Sequence, residues 1–268
     1  MAIATLQSTI TRPITDRSNW TGRIRSRGPV RNWWSTVEGM SYLDPVTGYP
    51  RIRPRIGTVE LASQPPASSP PAFVWATEGG YQAASFAGAT DMPDMPDMPD
   101  MPDLRFTRAA LTGIWSFVHI RRLNSGRPFG ITLTADNVNT IQDNPSRSSV
   151  NASMHFNVAG GGVDDRVKYS TTPNTAARVA TFQAINFTNG TMRGAVNGIA
   201  PGTLGTWANW AARRSGFAAN WTFTLGEAKA NGPANATILD FAMVEGGIFT
   251  MPTLLADFVE YASSVYQG

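Results

Sequence analysis

The chain has 268 residues, of which 42% are hydrophobic and 15% charged, with 25 Gly, 19 Pro, no Cys and a formal net charge of +3. That length fits one large β domain or two small ones, and the Gly and Pro content suits many short strands joined by turns better than a helical bundle. The absence of cysteine excludes disulfides and thiolate metal sites, and no run of about 18 apolar residues is present to cross a membrane as a helix.

From the N-terminus, "MAIATLQSTITRPITDR" lacks the apolar core of a signal peptide, so synthesis in the cytoplasm is expected. The six Asn-x-Ser/Thr triplets at Asn19, Asn151, Asn186, Asn189, Asn220 and Asn235 are then incidental to an Asn/Thr-rich β protein. Charge is strongly segregated. Residues 1–56 carry nine Arg and three acids, residues 57–103 seven acids and no base, and residues 104–268 13 bases and nine acids. Residues 1–56 therefore read as an extended basic arm, ahead of a domain over 57–268.

Within the arm, "WTGRIRSRGPVRNWW" sets Trp20, Trp33 and Trp34 among Arg23, Arg25, Arg27 and Arg31. Arg and Trp concentrate energy at interfaces, so these seven residues are candidate partner anchors, ordered against neighbouring subunits or a copy of the chain. The alternative is that the tryptophans fold back onto the chain's own core. No helix-turn-helix, zinc-finger or RNP pattern accompanies the arginines, which argues against nucleic acid. "YPRIRPRIG" at 49–57 is extended and Pro-punctuated, and "SQPPASSPPA" at 63–72 is a loop by composition.

Strand patterns begin at residue 72 with "FVWAT" and "YQAASFAG". "DMPDMPDMPDMPD" at 91–103 follows. Pro at every third residue favours polyproline II, in which neighbouring Asp positions stand about 9 Å apart along the axis. Calcium needs oxygens at about 2.3–2.6 Å, so adjacent carboxylates cannot share an ion while extended. The repeat reads as an extended surface connector, with a docking edge for a basic partner, such as the arm, as its alternative.

"IWSFVHIRRL" at 114–123 is apolar on both faces, with Trp115, Phe117 and His119 on one side, and predicts a central strand. His119 reads as a packed histidine. Further strands are predicted in "FGITLTA", "SMHFNVAG", "RVATFQAINF", "MRGAVNG", "WTFTLGEA" and "ATILDFAMVEG". Asn189-Gly190 predicts a tight hairpin with positive φ at the central turn residues. At the end, Leu254, Leu255, Phe258, Tyr261, Ala262 and Val265 recur at helical spacing, with Pro252 in the first turn and Thr250 as a cap.

Catalytic signals are weak. Two isolated histidines, His119 and His155, make no zinc site, no strand carries the paired carboxylates of a jelly-roll glycosidase, and no phosphate loop occurs. Asp164-Asp165 reads as a solvated loop. The expectation is a protein that is not an enzyme, with no cofactor and no metal. A second candidate patch lies in "GTWANWAARRSGFAANW", where Trp207 and Trp210 stand near Arg213 and Arg214 as a platform for a glycan or a protein partner. The competing reading has the tryptophans plugging the core.

Five motifs in order carry a family resemblance over about 58–268. They are the lead into Phe86-Ala87-Gly88, "WSFVHIRRL", the hairpin ending in Asn197-Gly198, "FTLGEA", and "ILDFAMVEGGIFTMPTLLADFVEYASSVYQG". In these the chain resembles the concanavalin A-like, laminin-G-like jelly rolls of bacteriophage virion proteins. The resemblance implies an all-β antiparallel sandwich with one C-terminal helix, and places the Asp-Met-Pro repeat in a loop between strands. It also implies a non-enzymatic structural role on the phage particle surface, as capsid decoration or tail component, with other virion proteins and copies of itself as partners. The alternative is a lectin-like module for host attachment.

Overall fold

The structure is a computed structural model that describes residues 17–36, 40–46, 48, 50–58, 60–62, 74–78, 81–86, 106–107, 112–125, 129–132, 140–144, 152–157, 165–170, 179–196, 201–211, 220–225, 227–228, 232–233 and 235–266. The Asp-Met-Pro repeat lies outside these residues.

A nine-stranded antiparallel sheet dominates. Its strands are β1 (Val30–Ser35), β4 (Pro54–Ile56), β6 (Val74–Glu78), β7 (Tyr81–Phe86), β9 (Ile114–Ser125), β14 (Val179–Asn186), β15 (Thr191–Val196), β16 (Gly205–Thr206) and β20 (Asn235–Glu245). The order is β16-β15-β14-β9-β20-β1-β4, with β7 also on β20 and β6 on β7. A second sheet runs β13 (Asp165–Ser170), β12 (Ala152–Asn157), β11 (Thr140–Asn144), β10 (Phe129–Thr132), β17 (Asn220–Leu225) and β8 (Phe106–Thr107), with β13 lying against β15 and β16. Two small sheets complete the set, one of β2 (Ser41–Leu43), β3 (Pro50–Ile52) and β5 (Leu61–Ala62), the other of β18 (Glu227–Ala228) and β19 (Gly232–Pro233). The architecture is an all-β antiparallel sandwich.

The large sheet is buried on both faces, as the two-sided apolar pattern of β9 predicts. Directly paired residues of antiparallel strands share a face. One face carries Val118, Phe182, Ala195, Ala242 and Trp33, and it packs beneath two helices, α1 (Arg17–Arg27) and α2 (Pro252–Tyr266). Trp20 and Ile24 of α1 and Leu254, Leu255, Phe258 and Tyr261 of α2 fill that layer. The opposite face carries Trp34, Trp115, Phe117, His119, Phe241 and Met243, all buried. His119 stacks on Phe241 at 6.3 Å between ring centroids, the packed histidine the sequence suggests.

The segment expected as an extended arm is corrected here. Residues 17–27 form a helix, because Trp20 and Ile24 stand four apart on one face and Gly28-Pro29 stop the next turn. Adjacent Trp33 and Trp34 are both buried, one on each face, which a strand permits only inside a sheet covered on both sides. β1 lies between β20 and β4, so the boundary expected at residue 57 runs through one sheet.

The C-terminal helix forms as predicted, with a change at its start. Thr250 belongs to a short 3-10 turn over Ile248–Thr250, and its hydroxyl donates to the Gly247 carbonyl rather than capping α2. Asp165, read as loop, opens β13. The Asn189-Gly190 hairpin joins β14 and β15, but its loop spans residues 187–190 and only Gly190 has positive φ, at 69°.

Candidate functional site

The residues expected to anchor a partner are engaged within the chain. The Trp33 indole N–H donates to the Asp240 carboxylate at 2.9 Å, and the Tyr261 hydroxyl donates to the same group at 3.1 Å. Trp33 also meets Phe258 and Tyr261 edge-on, at 5.7 and 5.0 Å. Arg23 pairs with Asp257 at 2.5 Å and Glu260 at 2.6 Å on α2, and its guanidinium sits 4.7 Å over the Trp20 ring. Its hydrogen bonds to Glu260 and then to Asp257 push its pKa above the ordinary arginine value. Arg27 also reaches Asp257, Arg31 pairs with Glu245, and Arg25 donates to the Arg55 carbonyl. The basic stretch thus neutralises acids of the C-terminal strand and helix, which the segregation of charge along the sequence conceals.

The second expected patch is corrected too. Trp207 and Trp210 are buried and stacked at 5.5 Å, and Trp210 Nε1 donates to the Phe187 carbonyl at 3.1 Å. The Trp207 backbone N–H donates to the Gly190 carbonyl. The pair plugs the β14–β15 turn, where a Cβ on Gly190 would stand 2.3 Å from the Trp210 ring. Arg213, Arg214 and the side chain of His155 lie outside the described residues. Among the described residues no group of three or more His, Asp or Glu could hold a metal ion.

A cleft that the sequence reading missed opens where the helical layer ends. Along β14 the helix-side face runs Ala180, Phe182, Ala184, Asn186, from apolar and covered to small and polar. Its open end pairs Asn186 with Ile114 and Thr191, and Ala184 with Ser116 and Arg193. The Gly246–Thr250 turn forms the opposite wall. Its position is fixed by Ser116, whose hydroxyl donates to the Gly246 carbonyl at 2.7 Å and accepts the Ile248 N–H at 2.8 Å.

The cleft measures about 240 Å³. That is just below the range of about 300–1,000 Å³ typical of drug-sized ligand sites, so it suits one small ring. Ile114, Ala184, Met192, Leu204 and Phe249 contribute apolar groups to its lining, and Asn186, Thr191, Arg193 and Thr250 contribute polar side chains. Asn186 Oδ1 accepts the Thr188 N–H, which leaves the amide NH₂ as that side chain's donor. Thr191 and Thr250 both spend their hydroxyl protons internally, on Asn189 Oδ1 and the Gly247 carbonyl, and so face ligands as acceptors. Gly247 adopts φ −86° and ψ 108°, which any residue can take, and a Cβ there would meet Ile114 and Thr250 only at 3.5 Å. No local signal marks this cleft, because its walls come from β9, β14, β15, Leu204 and the 246–250 turn.

No protein-family model matches the chain, and no curated protein matches it. Solved structures do. Domain 4 of AbnA, a GH43 extracellular arabinanase from Geobacillus stearothermophilus solved in complex with arabinotriose, is 14% identical, with 85% of this chain and 99% of that domain covered at a TM-score of 0.50. The K499G mutant of NanB sialidase from Streptococcus pneumoniae is 14% identical with a TM-score of 0.39, over 53% of this chain. The chain spans about a quarter (24%) of that sialidase's length. The CBM40 of Ruminococcus gnavus IT-sialidase, bound to alpha2,6 sialyllactose, is 8% identical over 58% of this chain and 94% of that one, with a TM-score of 0.38. The likeness to the arabinanase domain is one of fold, an antiparallel jelly-roll β-sandwich.

Proposed function

We propose that the chain is a non-catalytic glycan-binding module whose site is the cleft between the open end of β14–β15 and the Gly246–Thr250 turn. The observation that carries this reading is the lining of that cleft, in which apolar side chains including Phe249 are combined with hydroxyl-acceptor and amide-donor groups. A sugar ring presents the same pairing, with apolar C–H faces and polar edges, and aromatic side chains suit such amphipathic surfaces. The arabinanase domain, which matches over most of both chains, was solved with an oligosaccharide bound, and that supports a binding role for this fold. The virion role rests on the sequence resemblance, and it has no counterpart among the relatives named above.

A glycan array probed with the full chain and with Gly247→Ala tests the reading. The added methyl makes ordinary contacts, so folding should persist while the cleft loses volume. The expected result is a defined set of bound glycans whose signal falls at least about tenfold in the variant. Unchanged binding by Gly247→Ala would move the site elsewhere, and a blank array would remove the glycan reading.

A further inference from the structure

We propose that the cleft selects a sugar carrying a carboxylate, with Arg193 as its ion-pair partner; this rests on the glycan reading above. Two observations converge on Arg193. It is the charged side chain of the cleft's lining, and among the described residues no acid pairs with it. The other arginines with described side chains are engaged. Arg23, Arg27, Arg31, Arg51 and Arg53 each pair with an acid, Arg25 donates to a backbone carbonyl, and Arg55 lies over the Trp33 and Tyr261 rings.

The sheet register explains why Arg193 stays open. Its row on the helix-side face is Arg193, Ala184, Ser116, so the neighbours are small, and Ser116 is committed to the Gly246–Ile248 turn. A neutral ligand over this site would screen the guanidinium from water and return no charge. A carboxylate returns both charge and hydrogen bonding, because the planar fork of Arg donates two parallel hydrogen bonds to its two oxygens. Asn186 adds a second donor, while Thr191 and Thr250 accept from ring hydroxyls.

The test is calorimetric titration of the full chain with matched oligosaccharides: galactose against galacturonate, glucose against glucuronate, and a 6-sulfated galactose member. The uronate members should bind about tenfold more tightly than their neutral partners at low salt, with the gap narrowing at high salt. Arg193→Gln should bring each pair within about twofold, and Arg193→Lys should restore part of the gap. Melting of both variants near that of the parent chain shows that the fold is kept. Equal affinity within each pair, or a preference that survives Arg193→Gln, overturns the inference while leaving the glycan reading intact. A sulfated member that outbinds the uronate overturns the choice of carboxylate. Binding by no member at all overturns the glycan reading, and this inference with it.

Discussion

Replacing Trp33 tests whether the N-terminal segment belongs to the core. The side chain is fully buried, meets Phe258 and Tyr261 edge-on, and donates to Asp240, itself only 4% exposed. Truncation of a buried Trp to Ala costs about 3–5 kcal/mol, and weakening the partners of a buried carboxylate adds about 1–3 kcal/mol. Against a total stability of about 5–15 kcal/mol, Trp33→Ala should sit near the threshold of folding. Trp33→Phe is the sharper probe. It keeps most of the ring volume but removes the indole donor and leaves a small void, for an expected cost of about 2–4 kcal/mol. Urea unfolding with linear extrapolation measures it, and an unchanged slope confirms that stability alone has moved. Pairing it with Tyr261→Phe in a double-mutant cycle should show coupling, since both side chains donate to Asp240. A cost below about 1 kcal/mol for Trp33→Phe would mean that β1 is not embedded as described.

Three further outcomes are expected. Phe258→Ala, at a buried site on the sheet-facing side of α2, should lose about 3–5 kcal/mol in the same unfolding assay, and removal of residues 250–268 should give insoluble protein. Gly190→Ala should lose more than the roughly 1–2 kcal/mol of a left-handed residue, because the new Cβ also displaces Trp210; near-UV circular dichroism should change with it. Deleting two Asp-Met-Pro triplets should shift stability by less than about 1 kcal/mol, and added calcium should leave the melting temperature unchanged.

What the sequence disclosed followed from local periodicity. β9 reads as central because both of its faces are apolar, and α2 because Leu254, Leu255, Phe258 and Tyr261 repeat at helical spacing. α1 escaped because only Trp20 and Ile24 mark its inner face, among arginines that look like a solvated tail. Their spacing of four, followed by Gly28-Pro29, is the signal that was present. The role of those arginines was hidden for another reason: their acids, Asp257, Glu260 and Glu245, lie more than 200 positions away. The tryptophans at 207 and 210 looked like a platform because composition cannot tell a stacked plug from an exposed surface. The cleft was invisible because pairing register, not sequence proximity, brings Ile114, Asn186, Thr191 and Arg193 to one face.

The central claim is that the cleft holds a sugar. A crystal structure of the full chain with the tightest-binding glycan from the array tests it most directly. The account predicts a ring seated against Phe249 and Leu204, with hydroxyls on Asn186, Thr191 and Thr250 and a charged edge on Arg193. A sugar bound on any other surface, with this cleft empty, would contradict it.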